Sequence, residues 1–250
     1  WFGDTLAVGA THVEEGRAGD DFEMSGVDLT LQAGRGTFVK AEFARTEATQ
    51  AARFYSDDGG LTFAARNPTD ATDRAGDAYS LEARFNLREQ GLVDSEWSGA
   101  TWWRRIDDNF SSARRDSGVD TVEYGAEVNG DVSNRLRLTG RLSVVDREGR
   151  QKEERLGLLG DYRISDTGRL SGELQSAKTT AYEQGESTEG IIAALRYTHT
   201  LKPGLEVSAT AQQTLDDDGG QYQSNDLLSV GSRWLVTDQT SLVADLTSGD

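Results

Sequence analysis

The sequence predicts an all-β fold, an antiparallel up-and-down transmembrane β-barrel of about thirteen visible strands. Three observations predict it. Segments of about ten residues alternate apolar and polar side chains, so each has one greasy and one wet face. Those segments are roughly twice the usual soluble strand of about five to six residues, and match the roughly 9 to 11 that cross a bilayer at a tilt. Short turns and longer polar loops join them in succession, the expected polarity of a barrel with periplasmic turns and extracellular loops.

Taken in order, strands are expected near 4–13, 23–32 and 37–47, the last two joined by Ala33-Gly34-Arg35-Gly36. A long loop, 46–76, follows, with room for a small hairpin around Leu61 to Ala65. Strand 77–88 sets Tyr79, Leu81, Ala83 and Phe85 against Ser80, Glu82, Arg84 and Asn86, and 96–107 carries Trp97, Trp102 and Trp103. Strand 119–130 alternates Val122, Tyr124, Ala126 and Val128 with Thr121, Glu123, Glu127 and Asn129. Strand 135–147 is the clearest, with Leu136, Leu138, Gly140, Leu142 and Val144 opposite Arg137, Thr139, Arg141 and Ser143. The rest fall near 152–163, 169–181, 189–201, 204–215, 226–236 and 241–250, with turns at Ile164 to Gly168, Lys202-Pro203-Gly204 and Thr237 to Thr240. Long loops are expected at Glu14 to Glu23, Asp107 to Gly118, Asp146 to Gln151, Glu183 to Thr188 and Leu215 to Asn225.

The 250 residues read as one unit, 1–250, because no linker or shift in composition divides them. A net charge of -17 would suggest disorder in a chain whose hydrophobic residues were scarce. Here they are spaced, as a wall with one apolar face requires. No apolar run approaches the roughly 18 residues of a helical span, and no N-terminal stretch reads as a secretory signal. Cysteine is absent, which excludes disulfides and thiolate metal sites. An odd strand count in a fold that usually has an even one leads to the expectation of a partial barrel, continuing beyond Asp250 and beginning before Trp1.

The run Gly34-Arg35-Gly36-Thr37-Phe38-Val39-Lys40-Ala41-Glu42-Phe43-Ala44-Arg45, followed by Tyr55-Ser56-Asp57-Asp58-Gly59-Gly60-Leu61-Thr62-Phe63, resembles the start of the C-terminal barrel region of very large proteobacterial outer-membrane proteins. Gly231 to Leu242 resembles strand repeats of the same barrels. The resemblance implies a many-stranded barrel, often with surface repeats elsewhere in the chain and without assigned activity. Its motifs are strand and turn patterns and identify no substrate.

Chemistry-bearing residues are few. Strand parity puts the two histidines, His12 and His199, on the apolar face, as interfacial residues. A lipid-facing hydrolase would need a serine and an orienting acid beside one of them. Asp216, Asp217 and Asp218, and Asp57 and Asp58, offer oxygen ligands on flexible turns but lack the spacing of a calcium loop. Tyr79, Trp97, Trp103, Tyr124, Tyr162, Tyr197 and Trp234 fit interfacial girdles. Trp102 and Trp103 must point to opposite faces. The lumen-facing candidates are Glu82, Arg84, Glu123, Glu127, Arg137, Arg141, Arg196 and Arg233, with Arg155, Asp161, Arg163, Glu173 and Asp245 beside them. Glu123 and Glu127 should pair with Arg137 and Arg141 on the adjoining strand.

Acidity and the lack of a basic stripe exclude nucleic acid as a partner. The expectation is a non-enzymatic barrel of the bacterial outer membrane, acting as a pore, anchor or scaffold within a larger surface protein. It needs no cofactor. Its partners would be outer-membrane lipid and lipopolysaccharide, and either further parts of the same chain or another chain to close the barrel. The alternatives are a soluble extracellular β-repeat adhesin and a lipid-facing barrel hydrolase.

Overall fold

The computed structural model of the chain describes residues 3–17, 20–48, 53–55, 64–66, 74–111, 118–237 and 239–249. In chain order its strands are β1 (Leu6–Arg17), β2 (Asp20–Gly34), β3 (Thr37–Ala48), β4 (Arg53–Tyr55), β5 (Ala64–Arg66), β6 (Arg74–Asn86), β7 (Trp97–Ile106), β8 (Thr121–Asp131), β9 (Leu136–Arg147) and β10 (Gln151–Arg163). They continue with β11 (Gly168–Ala181), β12 (Glu186–Lys202), β13 (Leu205–Asp216), β14 (Leu227–Thr237) and β15 (Thr240–Gly249). A 13-stranded sheet runs β1-β2-β3-β6 and then consecutively to β15, and β4 and β5 form a separate two-stranded hairpin. Strands β1 to β3 and β9 to β15 pair with their neighbours in antiparallel register, so the all-β, up-and-down expectation holds.

That small hairpin is wider than expected. Its strands pair Arg53 with Arg66 and Tyr55 with Ala64, so its first strand lies ahead of the expected 61–65. Three segments expected as long loops are in part strand. Glu14 pairs with Glu23 and Arg17 with Asp20, β9 runs to Arg147, and β12 begins at Glu186. Their polar side chains suit loop and strand end alike, and backbone pairing continues past the apolar band wherever two strands stay adjacent. Among the fully described connections, 87–96 between β6 and β7 and 217–226 between β13 and β14 are the longer ones, so one connection expected among the short turns is as long as a loop.

The turns follow from residue type. Pro203 and Gly204 join β12 to β13, with Gly204 at φ 81, the left-handed position a type II turn requires of its third residue. The Ser133 hydroxyl accepts from the backbone N–H of Leu136 at 3.1 Å and of Arg135 at 3.2 Å, closing the turn before β9. Displaced registers between Thr200 and Lys202, and between Leu235 and Thr237, lie beside turns.

By its contacts the chain divides into two compact units: Trp1–Ala83 with Trp102–Glu123, and Arg84–Thr101 with Tyr124–Asp250. In the first unit, Val8, Leu29 and Val39 share one face of β1–β3, and all three are exposed. On the opposite face the segment after β7 folds back onto the strand ends. Ser111 N–H donates to the Thr46 hydroxyl at 3.1 Å, Asp107 N–H to the Asp77 carbonyl at 3.0 Å, and Thr46 is 1% exposed. Phe110 packs so closely over Gly76 that a Cβ there would lie 2.0 Å from the Phe110 nitrogen.

In the second unit, register aligns one apolar row across seven strands. Leu142 faces Leu156, Leu158 faces Leu174, Leu195 faces Ala211, Ala211 faces Leu228, and Val230 faces Leu246. These leucines are exposed, Leu158 at 53% and Leu246 at 77%. Among the described residues of the whole chain the buried hydrophobic side chains are Ile106, Phe110 and Val144. Burial is therefore inverted relative to a soluble sheet protein, where large apolar residues fill the interior. Aromatic rings on the apolar face lie over glycines of the neighbouring strand, Phe85 over Gly99 and Trp97 over Gly130.

Two predictions follow from this packing. A Cβ at Gly130 would sit 2.1 Å from the Trp97 ring, whereas one at Gly157 meets nothing within 4 Å. Gly130→Val should lower stability to denaturant by about 1–3 kcal/mol, and Gly157→Val should stay within about 0.5 kcal/mol of the parent. Thr46→Val removes the hydroxyl that accepts from Ser111 and should cost about 1 kcal/mol. Limited proteolysis between β7 and β8 should accelerate in that variant.

Candidate functional site

The candidate site is the polar face of the sheet, because strand alternation gathers most of the chain's strand-borne charges there. β8 alternates Glu123, Gly125, Glu127, Asn129 and Asp131 on this face, and β9 follows with Arg137, Thr139, Arg141, Ser143, Val145 and Arg147. Neighbouring strands of opposite charge can then pair across the ladder.

The pairing differs in part from the expectation. Arg141 approaches Glu127 at 3.9 Å, as anticipated. Glu123 instead takes Arg104 of β7 at 3.1 Å, and Arg137 forms a two-pronged pair with Asp131 at 2.7 and 3.1 Å. Asp131 stands near the β8–β9 turn, where the fork of the guanidinium meets both of its carboxylate oxygens. Glu153 of β10 is the hub of another network. It accepts from Arg147 at 2.6 Å, Gln151 at 2.7 Å and Arg155 at 3.2 Å. Arg104, Asp131, Arg147 and Glu153 were absent from the sequence-derived set, although each has the parity of its polar-face neighbours.

The other candidates lie on the same face. Glu82 and Arg84 occupy the side of β6 opposite Leu81 and Ala83. Arg196 donates to the Ser208 hydroxyl at 3.2 Å, and Arg233 stands across the ladder from Glu206. Asp161 accepts from the Ser171 hydroxyl at 2.5 Å. Between the chain segments at the short-turn end lie two open grooves. One, of about 600 Å³, is lined by Arg88, Glu96, Asp131, Arg135 and Arg137 among others, and the other, of about 540 Å³, by Arg163, Arg169 and Arg196 with several hydroxyls.

Asp216, Asp217 and Asp218 are exposed at and beyond the end of β13, and Asp216 Oδ1 accepts from the Asp218 N–H at 3.1 Å. Asp57 and Asp58 lie outside the described residues. Among the described residues no three His, Asp or Glu side chains group as a metal centre would need. In the same connection Tyr222 folds over Gly190 of β12, its backbone N–H donating to Asp217 at 2.8 Å.

Both histidines sit on the apolar face. His199 Nδ1 lies 3.2 Å from the Tyr197 hydroxyl, the two rings stacked. His12 faces Ser25 across the ladder, with Nδ1 3.2 Å from Ser25 Oγ and 3.8 Å from Glu23. Both neighbours approach the same ring nitrogen, whereas a relay places the nucleophile at one nitrogen and the orienting acid at the other.

In each unit aromatic residues stand near the strand ends on the apolar face. Toward the long-loop end Phe43 and Tyr79 meet with ring centroids 5.2 Å apart, and Tyr124 is exposed on β8. Toward the short-turn end stand Trp97, Tyr162, Tyr197 and Trp234, with Lys202 Nζ 5.2 Å from the Trp234 ring centre. Alternation puts Trp103 on the apolar face and Trp102 on the polar face beside Arg104.

Tyr182, in the turn after β11, donates to Asp146 at 3.0 Å. Loss of water around the phenol, and then this hydrogen bond, hold it above the ordinary tyrosine value. A raised folded value means the bond's contribution is complete below the unfolded tyrosine pKa and is lost as pH rises through the folded one. Ultraviolet titration should therefore show a late-ionising tyrosine that disappears in Tyr182→Phe and titrates earlier in Asp146→Asn.

No family model matches the chain, and no curated protein matches it. Among solved structures it is similar to an anion-selective porin from Comamonas acidovorans, at 14% identity over 97% of this chain and 88% of that one, with a TM-score of 0.48. It is also similar to OmpT, an outer membrane protein of Vibrio cholerae, in two structures of the in-vitro folded protein. The trimer form is 12% identical over 98% of each chain with a TM-score of 0.37, and the other is 12% identical over 88% of this chain and 90% of that one, with a TM-score of 0.36.

Proposed function

We propose that the chain forms the wall of a non-enzymatic β-barrel in the bacterial outer membrane, apolar face to lipid and polar face to a wet interior. The inverted burial carries this reading. Exposed Val8, Leu29, Leu158, Leu174, Leu195 and Leu246 would be costly in water, and they fall on the face that lipid would cover. Aromatic residues near the strand ends suit the headgroup regions. Strands of 10 to 17 residues in the main sheet suit a tilted crossing.

Within that reading the polar face lines water, and its rungs of carboxylate and guanidinium set the field that a permeating solute meets. Conduction is preferred over a purely anchoring role because charged side chains outnumber apolar ones on this face of β8–β11, and they need water as well as each other. Glu82, Arg84, Glu123, Glu127, Arg137, Arg141, Arg196 and Arg233 are the proposed lumen residues. Among the described residues β1 and β15 each pair with one strand, and in hydrocarbon every strand edge must be hydrogen-bonded. Closure is therefore proposed through further strands, of the same chain or another. Placement as the C-terminal barrel of a very large surface protein is the finer form of this proposal. Lipid and lipopolysaccharide are the proposed surroundings.

Bromolipid quenching tests the assignment of faces. In variants retaining a single tryptophan, Trp103 should be strongly quenched in vesicles and Trp102 weakly; equal quenching would sink the reading. Leu158→Arg should destabilise the vesicle-inserted protein by about 2–4 kcal/mol, while Thr139→Arg on the polar face should be close to neutral. A soluble adhesin would show the same stability with and without lipid.

A further inference from the structure

We infer that the short-turn end of the polar face of β9–β12 is a binding site for a phosphate-like oxyanion, built on a rung of three arginines. Arg163 of β10 stands directly across the ladder from Arg169 of β11. Arg135, just ahead of β9, accepts the Arg163 backbone N–H at 2.8 Å and so occupies the same rung on the other side. All three have polar-face parity, matching Arg137, Asp161 and Ser171 in the adjoining rung. Neighbouring strands are roughly 4.8 Å apart, so three guanidinium groups issue from about 10 Å of sheet.

Like charges placed directly opposite each other repel. Elsewhere on this face such repulsion is relieved by a carboxylate, as Asp131 does for Arg137 and Glu153 does for Arg147 and Arg155. The side chains of Arg135, Arg163 and Arg169 have no ion-pair or hydrogen-bond partner among the described residues. The acids nearby do not supply one. Asp161 accepts from Ser171, and Asp166 and Glu206 line the groove without reaching ion-pairing distance of any of the three.

The groove beside the rung completes the site. Its roughly 540 Å³ are lined by Arg163, Arg169 and Arg196 together with the hydroxyls of Ser165, Thr198 and Thr200. Thr198 faces Arg169 across the ladder, and Arg196 faces Ser171. Guanidinium forks and hydroxyl donors are the groups that recognise a tetrahedral oxyanion. Three cations within about one Debye length of each other add their fields at physiological salt. A chain of net charge -17 thus concentrates positive charge where its wall meets the short turns. The site stands on the geometry of β9–β12 alone, independent of whether the wall encloses a conducting pore.

The test is inorganic phosphate binding by the full chain folded in detergent, followed by isothermal titration calorimetry. The parent should bind phosphate saturably, and more weakly as sodium chloride is added. Arg163→Gln with Arg169→Gln should weaken binding at least about tenfold, with the strand signal in circular dichroism unchanged. Arg105→Gln, on the opposite face, should leave it intact. Arg135→Gln, in the turn and outside the ladder, provides a second variant if the double one fails to fold, and should also weaken binding. Absence of saturable binding by the parent would overturn the proposal, as would equal binding by folded arginine variants. Equal quenching of Trp102 and Trp103 with phosphate binding retained would count against the membrane reading while leaving this site standing.

Discussion

Everything in this molecule depends on the register of its antiparallel ladder. Side chains alternate with a period of two, so a slip of one residue would move each leucine to the wet face and each arginine to the greasy one. In the second unit, register carries a single apolar row from Leu142 and Leu156 on β9 and β10 to Val230 and Leu246 on β14 and β15. The interruptions in pairing between β12 and β13 and between β14 and β15 stand near strand ends, where they leave the central rows aligned. The ladder also satisfies the backbone N–H and C=O groups between paired strands.

With the register set, electrostatics on the polar face becomes a matter of which residues share a rung. Opposite charges meet at Arg104 and Glu123, at Arg137 and Asp131, and around Glu153. These pairs are partly exposed, and each contributes little to stability by itself. Their larger consequence is positional, since a guanidinium held by a carboxylate has a defined direction and a neutralised field. The rung of Arg135, Arg163 and Arg169 has neither, and it gathers three such groups on adjoining strands.

Connections add a second kind of order. The segment after β7 buries Phe110 against Gly76 and the Thr46 hydroxyl, and Tyr222 covers Gly190 in the connection before β14. In both places a glycine on the polar face leaves room for chain that would otherwise be solvated. The small core of the described residues therefore lies largely at these folded-in connections, while most of the apolar side chains face outward.

Strand number, strand order and the division into two faces were legible in the sequence, because each depends on a local period of two and on turn residues such as Pro203-Gly204. All thirteen expected strands correspond to strands of the main sheet. Pairing past the apolar band was not legible, since Glu14, Glu23 and Glu186 have side chains that suit loop and strand end alike. Nor could the sequence choose among ion-pair partners. Glu123 lay within reach of arginines on either side, and its choice of Arg104 depends on stagger between strands. His12 and Ser25 came together for the same reason, through a cross-strand register that no single segment encodes. Composition and periodicity act along the chain and were sufficient for fold class. Rungs form across the chain, and only the tertiary structure, by setting the stagger of each strand against the next, decided which charges are neighbours.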